Sequence, residues 1–452
     1  MAKSTDIRLV DVSMNTEEYT YRTPIKFGGR VGTSVTIANV IAVVETRKGH
    51  RGTGFGSMPV GNIWGWPSDA VSPADTEKAM ARLSAELAAQ ANDYSGTGHP
   101  LEITHELSQA YESTADAVTI QTGLAEKMPK LARLVAASPL EAAVHDAYGK
   151  ALGANSYNLL GVEFANRDLA AYLSNEFTGE YLDRYTLREP KPSMPLYHLI
   201  GALDPLTDAD VKNRIGDGLP ETLPEWIAAD GLTHMKIKLN GDNLDWDVER
   251  VLAIDRVASD AQTARGCSTW YYSADFNEKC ANVEYVLGFL RRIQEANPAA
   301  FERLQYIEQP TSRDLKSHAD NKMHEAAKIK PVVIDEALVD FESLLLSREQ
   351  GYSGVALKAC KGHSEALIMA AAAQKYGMFL CVQDLTCPGA SFLHSASLSA
   401  RIPTVAAIEG NARQFVPVAN EVWKNRFPSM FVITDGTLGT AVLDGPGLGG
   451  WG

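Results

Sequence analysis

Two patterns of apolar and polar residues divide the chain. Over residues 6–53, β-branched and aliphatic runs (IRLVDVS, then VTIANVIAVVETRKGHRGTGFG) are broken by turn residues, which predicts a small antiparallel sheet with Lys48-Gly49-His50 as a turn. Over residues 73–154 apolar side chains recur at i, i+3 and i+4, as in TEKAMARLSAELAAQA and PLEAAVHDAYGKALG, which predicts amphipathic helices. The N-terminal third therefore reads as α+β. Residues 183–192 are charged and carry Pro190 and Pro192, which sets a boundary there: 1–185 as an N-terminal α+β domain and 186–452 as a second domain, its last part packing back on the first.

Beyond Pro195 the pattern changes. Eight short apolar runs (PLYHLI, HMKIKL, WYYSADF, LQYIE, PVVIDE, GVALK, MFLCVQ, VAAI) alternate with amphipathic stretches such as VEYVLGFLRRIQEA. Regular strand and helix alternation means parallel βα units, and eight of them fit an α/β fold of the (β/α)8 TIM-barrel type. An open doubly wound sheet is the runner-up, weakened because no GxGxxG turn follows a first strand.

Composition narrows the partners. The 452 residues carry 42 Lys+Arg and 56 Asp+Glu, a net charge of −14 with no basic run. Nucleic acid and anionic membrane surfaces need concentrated positive charge, so a small-molecule partner is expected instead. The five cysteines are odd in number and form no CxxC pair, which fits a reducing compartment. The N-terminus has no apolar leader-like run and the longest apolar run, 366–373, is too short to span a bilayer, so the expectation is a cytoplasmic protein.

Charged residues stand where the apolar runs end: Lys236 and Lys238, Asp275, Glu308, Asp335 with Glu336, Lys358, Gln383 with Asp384, and Glu409. Successive members lie about one βα unit apart, and in a closed barrel strand ends converge on one mouth. Three carboxylates there repel one another and call for a cation, and hard oxygen ligands favour Mg²⁺. Lys236 and Lys238, at i and i+2, point the same way about 6–7 Å apart. Each disfavours the other's charge, as does a metal, so a lowered pKa and a lysine base are expected. Lys358 faces them from the other side of the acids.

These residues resemble the enolase superfamily, and in particular its mandelate racemase/muconate lactonizing enzyme family, muconate cycloisomerase-like subgroup. The KxK of Lys236 and Lys238, the DFN at Asp275, the EQP at Glu308, the DE at Asp335 and the later Lys358 match the family's pattern, and SPLEAAVHDAYGKALGANSYNLLG and KGHRGTGFG are similar to stretches of its capping domain. No histidine ends the MFLCVQ run, unlike the mandelate racemase subgroup. The resemblance implies that Asp275, Glu308 and Asp335 bind Mg²⁺ or Mn²⁺, and that Lys238 and Lys358 act on the α-proton of a carboxylate substrate. A metal-stabilised enediolate would be held with the help of Lys236. Asn277, Gln309, Glu336, Asp384 and Glu409 would support the site or the substrate.

The reaction implied is racemisation or epimerisation, with dehydration (a lyase) or cycloisomerisation as alternatives. A catalytically silent binding relative or an unrelated Schiff-base barrel is less favoured. Where the dipeptide-epimerase branch has DxD, this chain has Glu409-Gly410-Asn411, and ACKGHS after Lys358 departs from the common Gly-Gly. Two capping-domain loops would choose the substrate: residues 23–33, with Lys26 and Arg30 for an anionic distal group, and residues 54–66, with Trp64 and Trp66. A homo-oligomer, octamer or dimer, is implied by the same resemblance.

Overall fold

A computed structural model describes residues 2–27 and 30–451. Strands β1 (Ile7–Phe27), β2 (Arg30–Thr46) and β3 (Arg51–Pro59) form an antiparallel sheet in that order. The turn between β2 and β3 closes through Gly49, whose φ of 81° suits a residue without a Cβ. Helices α1 (Asn62–Gly65), α2 (Pro73–Asp93), α3 (Pro100–Ser108), α4 (Tyr111–Thr122) and α5 (Lys130–Leu152) follow. Ser72 caps α2, its hydroxyl accepting the Asp75 N–H, with Pro73 as the first helical residue. Helix α5 lies so close on β3 that a Cβ added at Gly52, Gly54 or Gly56 would come within 2.2, 2.1 or 1.8 Å of its backbone carbonyls.

All eight apolar runs are strands: β4 (Met194–Ile200), β5 (His234–Lys238), β6 (Tyr271–Asp275), β7 (Leu304–Glu308), β8 (Val332–Ile334), β9 (Gly354–Leu357), β10 (Phe379–Val382) and β11 (Val405–Glu409). They are parallel neighbours in chain order, and β11 pairs with β4 to close the barrel. A short β12 (Thr437–Leu438) adds antiparallel to β4. Between the strands lie α6 (Leu223–Asp230), α7 (Leu244–Ala264), α8 (Val283–Ala296), α9 (Pro298–Arg303), α10 (His324–Ile329), α11 (Phe341–Glu349), α12 (His363–Lys375) and α13 (Ala390–Arg401), and α14 (Ala412–Phe415) follows β11.

The two-residue period of a strand explains how the barrel presents polar groups. Tyr197, Tyr306, Val333, Ala356, Cys381 and Ala407 pack into an apolar plug inside it. Two positions further along the same strands stand Leu199, Glu308, Asp335, Lys358, Gln383 and Glu409, on the same inward face. The plug excludes a pore, and the polar ring sits above it at the strands' C-terminal ends.

Two irregular segments follow, one beside the mouth and one against the cap. Residues 201–222, between β4 and α6, hold only one 3₁₀ turn, Asp208–Asp210, and Arg22 of β1 reaches across to Asp217 at 2.6 and 2.8 Å. Residues 445–451 return to α5: the Leu448 N–H donates to Asp146 Oδ1 at 2.9 Å and Trp451 is buried against His394. No helix among the described residues is long and apolar enough to cross a membrane.

Candidate active site

Register brings the first group together. Lys238 pairs in the sheet with Asp275, and Asp275 with Glu308, so three adjacent strands end on one level. The Lys238 ammonium donates to Asp275 Oδ2, while Lys236, one turn of the pleat deeper, donates to Glu308 Oε1 at 2.7 Å, Gln383 Oε1 at 2.6 Å and Glu409 Oε2 at 3.0 Å. It also lies 3.1 Å from Asp275 Oδ2. Across the mouth Lys358 meets Asp335 Oδ2 at 3.0 Å and the Asp384 carbonyl at 3.2 Å. All of these side chains are buried.

The amides beside the acids work mostly through the backbone. The Asn277 N–H donates to Asp275 Oδ1 at 2.8 Å from a left-handed conformation (φ 45°). Gln309 Oε1 accepts the N–H groups of Asp335 and Ala337 at 2.9 and 3.2 Å, fixing the end of β8. Asp384 accepts the N–H groups of Leu385, Cys387 and Asn411, so it anchors a turn, and Glu409 accepts the Asn411 amide as well as Lys236.

The electrostatics correct one expectation, at Lys236. Its pKa lies above the usual lysine value, not below it, and that of Lys358 lies above it as well. Burial alone would lower them, but the touching carboxylates, Glu308 and Glu409 for Lys236 and Asp335 for Lys358, outweigh it. Asp275 and Asp335 are held below the ordinary aspartate range: burial pushes them up, and Lys238 with Lys236, or Lys358 with Lys361, overcomes it. Glu308 goes the other way, raised well above 4.5 by burial and by the charge of Asp275. Its Oε2 is buried with no partner. Among the described residues no three acid, histidine or cysteine side chains already converge as a metal cluster; the lysine ammoniums stand between the acids. The donor set is nonetheless three hard, buried carboxylates with an unmatched oxygen, which fits a divalent cation.

The capping side differs from the loops expected. Residues 23–33 are largely the paired ends of β1 and β2, with Phe27 opposite Arg30; Gly28 and Gly29 lie outside the described residues. Residues 54–59 belong to β3 and residues 62–65 to α1, so Gly54 and Gly56 serve strand packing against α5. Trp64 does face the mouth. Its Nε1 donates to Glu336 Oε1 at 2.9 Å and its ring covers Lys358 at 4.4 Å, whereas Trp66 turns away to Glu126. Burial and then the Asp335 charge push Glu336 up to about 7. A cavity of about 440 Å³ beside it is lined by Phe27, Arg30, Trp64, Asn277, Arg313 and Glu336 among others; Lys26 is not on its wall, and Arg30 is paired with Asp69 at 2.5 Å.

Two residues were missed by sequence reasoning. Lys361 donates to the Asp335 carbonyl at 2.5 Å and lies 3.3 Å from its Oδ1. Its i+3 offset from Lys358 was the available signal, since a 3₁₀ turn, Ala359–Lys361, brings it back over the same acid. Arg313 ties Glu278 to the Trp64 carbonyl, joining β6, β7 and α1, and nothing in its loop sequence signalled that. His234 and His394 are structural: the first sits at the far end of β5 and the second accepts the Ser57 N–H.

A closed β/α barrel under an α+β cap, with acids and lysines at successive strand ends, defines the class as a capped barrel of the kind built by the enolase superfamily. A family profile described as Enolase C-terminal domain-like matches residues 219–450, just over half of the chain, and the chain belongs to the enolase superfamily, in its mandelate racemase/muconate lactonizing enzyme family. Members of this superfamily are enzymes. No curated protein matches the chain in sequence.

Solved structures share the fold over nearly the full length. A muconate lactonizing enzyme from Pseudomonas fluorescens, complexed with muconolactone, is 19% identical with a TM-score of 0.58, covering 98% of this chain and 96% of that one. The L-Ala-D/L-Glu epimerase from Bacillus subtilis, liganded with substrate, is 15% identical at TM-score 0.62, covering 98% of each. An enolase from Bradyrhizobium, complexed with magnesium and mandelic acid, is 14% identical at TM-score 0.60, covering 99% and 96%.

Proposed function

We propose that the protein is a Mg²⁺-dependent enzyme that removes the proton α to a substrate carboxylate, and that it racemises or epimerises that substrate. The observation that carries this reading is the placement of two buried lysines on opposite sides of the acids: Lys238 from β5 on Asp275, and Lys358 after β9 on Asp335. Asp275, Glu308 and Asp335 would hold the ion, and Mg²⁺ or Mn²⁺ there supplies positive charge that draws the substrate carboxylate and offsets the charge left as the α-proton departs. Lys238 Nζ takes the proton from one face, and Lys358 Nζ returns one to the other. Lys236, kept protonated by Glu308 and Glu409, serves as a fixed positive charge and not as a base.

One observation favours a second reading. The Lys358 ammonium lies 3.0 Å from Asp335 Oδ2 under the Trp64 ring, a fixed position that suits an elimination or cycloisomerisation in which Lys358 steadies developing negative charge while Lys238 alone moves the proton. A carboxylate library in D₂O with Mg²⁺, followed by proton NMR, separates the two. Racemisation puts deuterium into recovered substrate of both configurations, with inversion lost in Lys238→Ala and in Lys358→Ala. The second reading gives a new product. Exchange that persists in both variants removes the two-lysine mechanism altogether.

A further inference from the structure

Helix α1 has four residues, Asn62–Gly65, too few to hold a shape alone, so its place depends on what grips it. Asn62 ties its start to the cap, donating to the Pro73 carbonyl at 2.7 Å and to Thr76 Oγ1 at 3.0 Å. Two hydrogen bonds join it to the barrel, and both end on Trp64: Glu336 Oε1 accepts the indole N–H at 2.9 Å, and Arg313 Nη1 donates to the Trp64 carbonyl at 3.1 Å. Held there, the ring lies over two ammoniums that share Asp335. Lys358 is 4.4 Å and Lys361 5.6 Å from its centre.

Arg313 is itself fixed. Its Nε and Nη2 donate to the two carboxylate oxygens of Glu278 at 2.7 and 2.5 Å, and its backbone N–H adds a third bond at 2.9 Å. Nη1 is left for Trp64. A guanidinium can do both at once because its N–H groups form a rigid fork, which the point charge of a lysine does not.

Glu278 stands in the turn after β6, where Asn277 and Glu278 have φ of 45° and 69°. Its N–H donates at 2.9 Å to the carbonyl of Gln309, whose φ is 30°, in the turn after β7. Of the five non-glycine residues with positive φ among the described residues, three thus lie in the two turns that Arg313 joins. Such conformations persist where the surroundings hold them, and they gather at functional sites. The other charges on the wall of the cavity of about 440 Å³ take no part in the grip: Arg30 is paired with Asp69, and Lys279 is exposed.

We propose that Arg313 is a positioning residue for Lys358: gripped by Glu278, it holds the Trp64 carbonyl and so keeps the indole over that ammonium. The inference rests on the reading that Lys358 acts on the substrate. Without Arg313, α1 keeps one hydrogen bond to the barrel, at the edge of the indole, and can pivot about it, letting water in beside Lys358. A shift of about 1 Å in a reacting group can cost about 100-fold in rate. Lys238 is outside this effect, since its aromatic cover is Phe27 of β1, 5.6 Å away.

Variants of the full chain test this in two ways. With the acid that exchanges fastest in D₂O with Mg²⁺, Arg313→Met is expected to slow inversion about tenfold or more, while deuterium enters the isomer whose proton faces Lys238 within about threefold of the natural rate. Arg313→Lys, which keeps the charge without the fork, is expected to behave like Arg313→Met. Glu278→Gln, a milder change that stays readable if Arg313→Met does not fold, is expected to move inversion the same way. Adding Arg313→Met to Trp64→Leu is expected to change nothing further, as for residues acting through one another. Acrylamide quenching, taken as the difference between each chain and its Trp64→Leu counterpart, reports the indole without metal or substrate. Trp64 is expected to become about twofold or more easier to quench in Arg313→Met and to shift the same way in Glu278→Gln, as a segment with few contacts opens locally. Equal loss of exchange and inversion, natural activity in Arg313→Lys, effects that add to those of Trp64→Leu, or unchanged quenching would overturn the proposal. A natural chain that exchanges no acid would instead sink the reading of the reaction, and quenching would still decide whether Arg313 holds Trp64.

Discussion

Four groups, from Asp275, Glu308, Gln383 and Glu409, close on the Lys236 ammonium within 2.6–3.1 Å. Removing it leaves Glu308 and Glu409 buried without their shared counter-charge, and breaking such a contact costs about 3–5 kcal/mol. Lys236→Met is therefore expected to lower the urea midpoint and, where the protein still folds, to slow α-proton exchange about 100-fold or more, the scale for losing a charge-stabilising donor. Stopped exchange with an unchanged midpoint would assign Lys236 a role in the chemistry without one in stability. The positions of Lys236, Lys238 and the three acids were legible because a strand's period fixes which residues share a face. The direction of the lysine pKa shifts was not, because it depends on which carboxylates each ammonium touches, and that is set by three other strands. Lys361 was hidden for a related reason: a 3₁₀ turn, not a strand, returns it to Asp335.

At the scale of elements, β3 and α5 show why glycine misleads. From Gly54 onward the glycines read as a capping-domain loop, since glycine weakens strands. Here Gly52, Gly54 and Gly56 occupy alternate positions facing α5, and the absent Cβ atoms let a helix backbone approach a strand backbone directly. An added methyl at Gly54 would lie 2.1 Å from the Ala143 carbonyl and 2.3 Å from the Ala147 nitrogen, neither of which can swing aside. Gly54→Ala is expected to cost about 1–3 kcal/mol, the range for overpacking, with Gly49→Ala at the open β2–β3 turn as a comparison that strains one residue and touches nothing. Urea denaturation of the two variants measures the difference. The barrel strands were easy to place because each was a short apolar run bounded by turn residues. The capping strands extended past their apolar cores into polar sequence, and there only pairing defines them.

At the scale of the whole molecule, the cap meets the barrel through a proton-sensitive contact. Glu141 of α5 accepts the Ser364 N–H at 3.0 Å at the start of α12, and burial pushes its carboxyl up from 4.5 to about 8. The folded protein then holds a proton that the unfolded chain releases, so stability falls as pH rises from about 4.5 to about 8 and levels off above. The slope for one such group is about 1.4 kcal/mol per pH unit. Thermal midpoints across that range are expected to decline, and Glu141→Gln, which cannot ionise, to flatten the decline; an equal slope in the variant would assign it to other groups. The contact between Leu448 and Asp146 spans 302 positions of chain. A ribosome therefore finishes the barrel before α5 meets its last partner. Until then Asp146 keeps an open acceptor and part of the α5 surface stays wet, so chains that stop short of Leu448 should be cleaved first within the cap by a protease, even where the barrel has already formed.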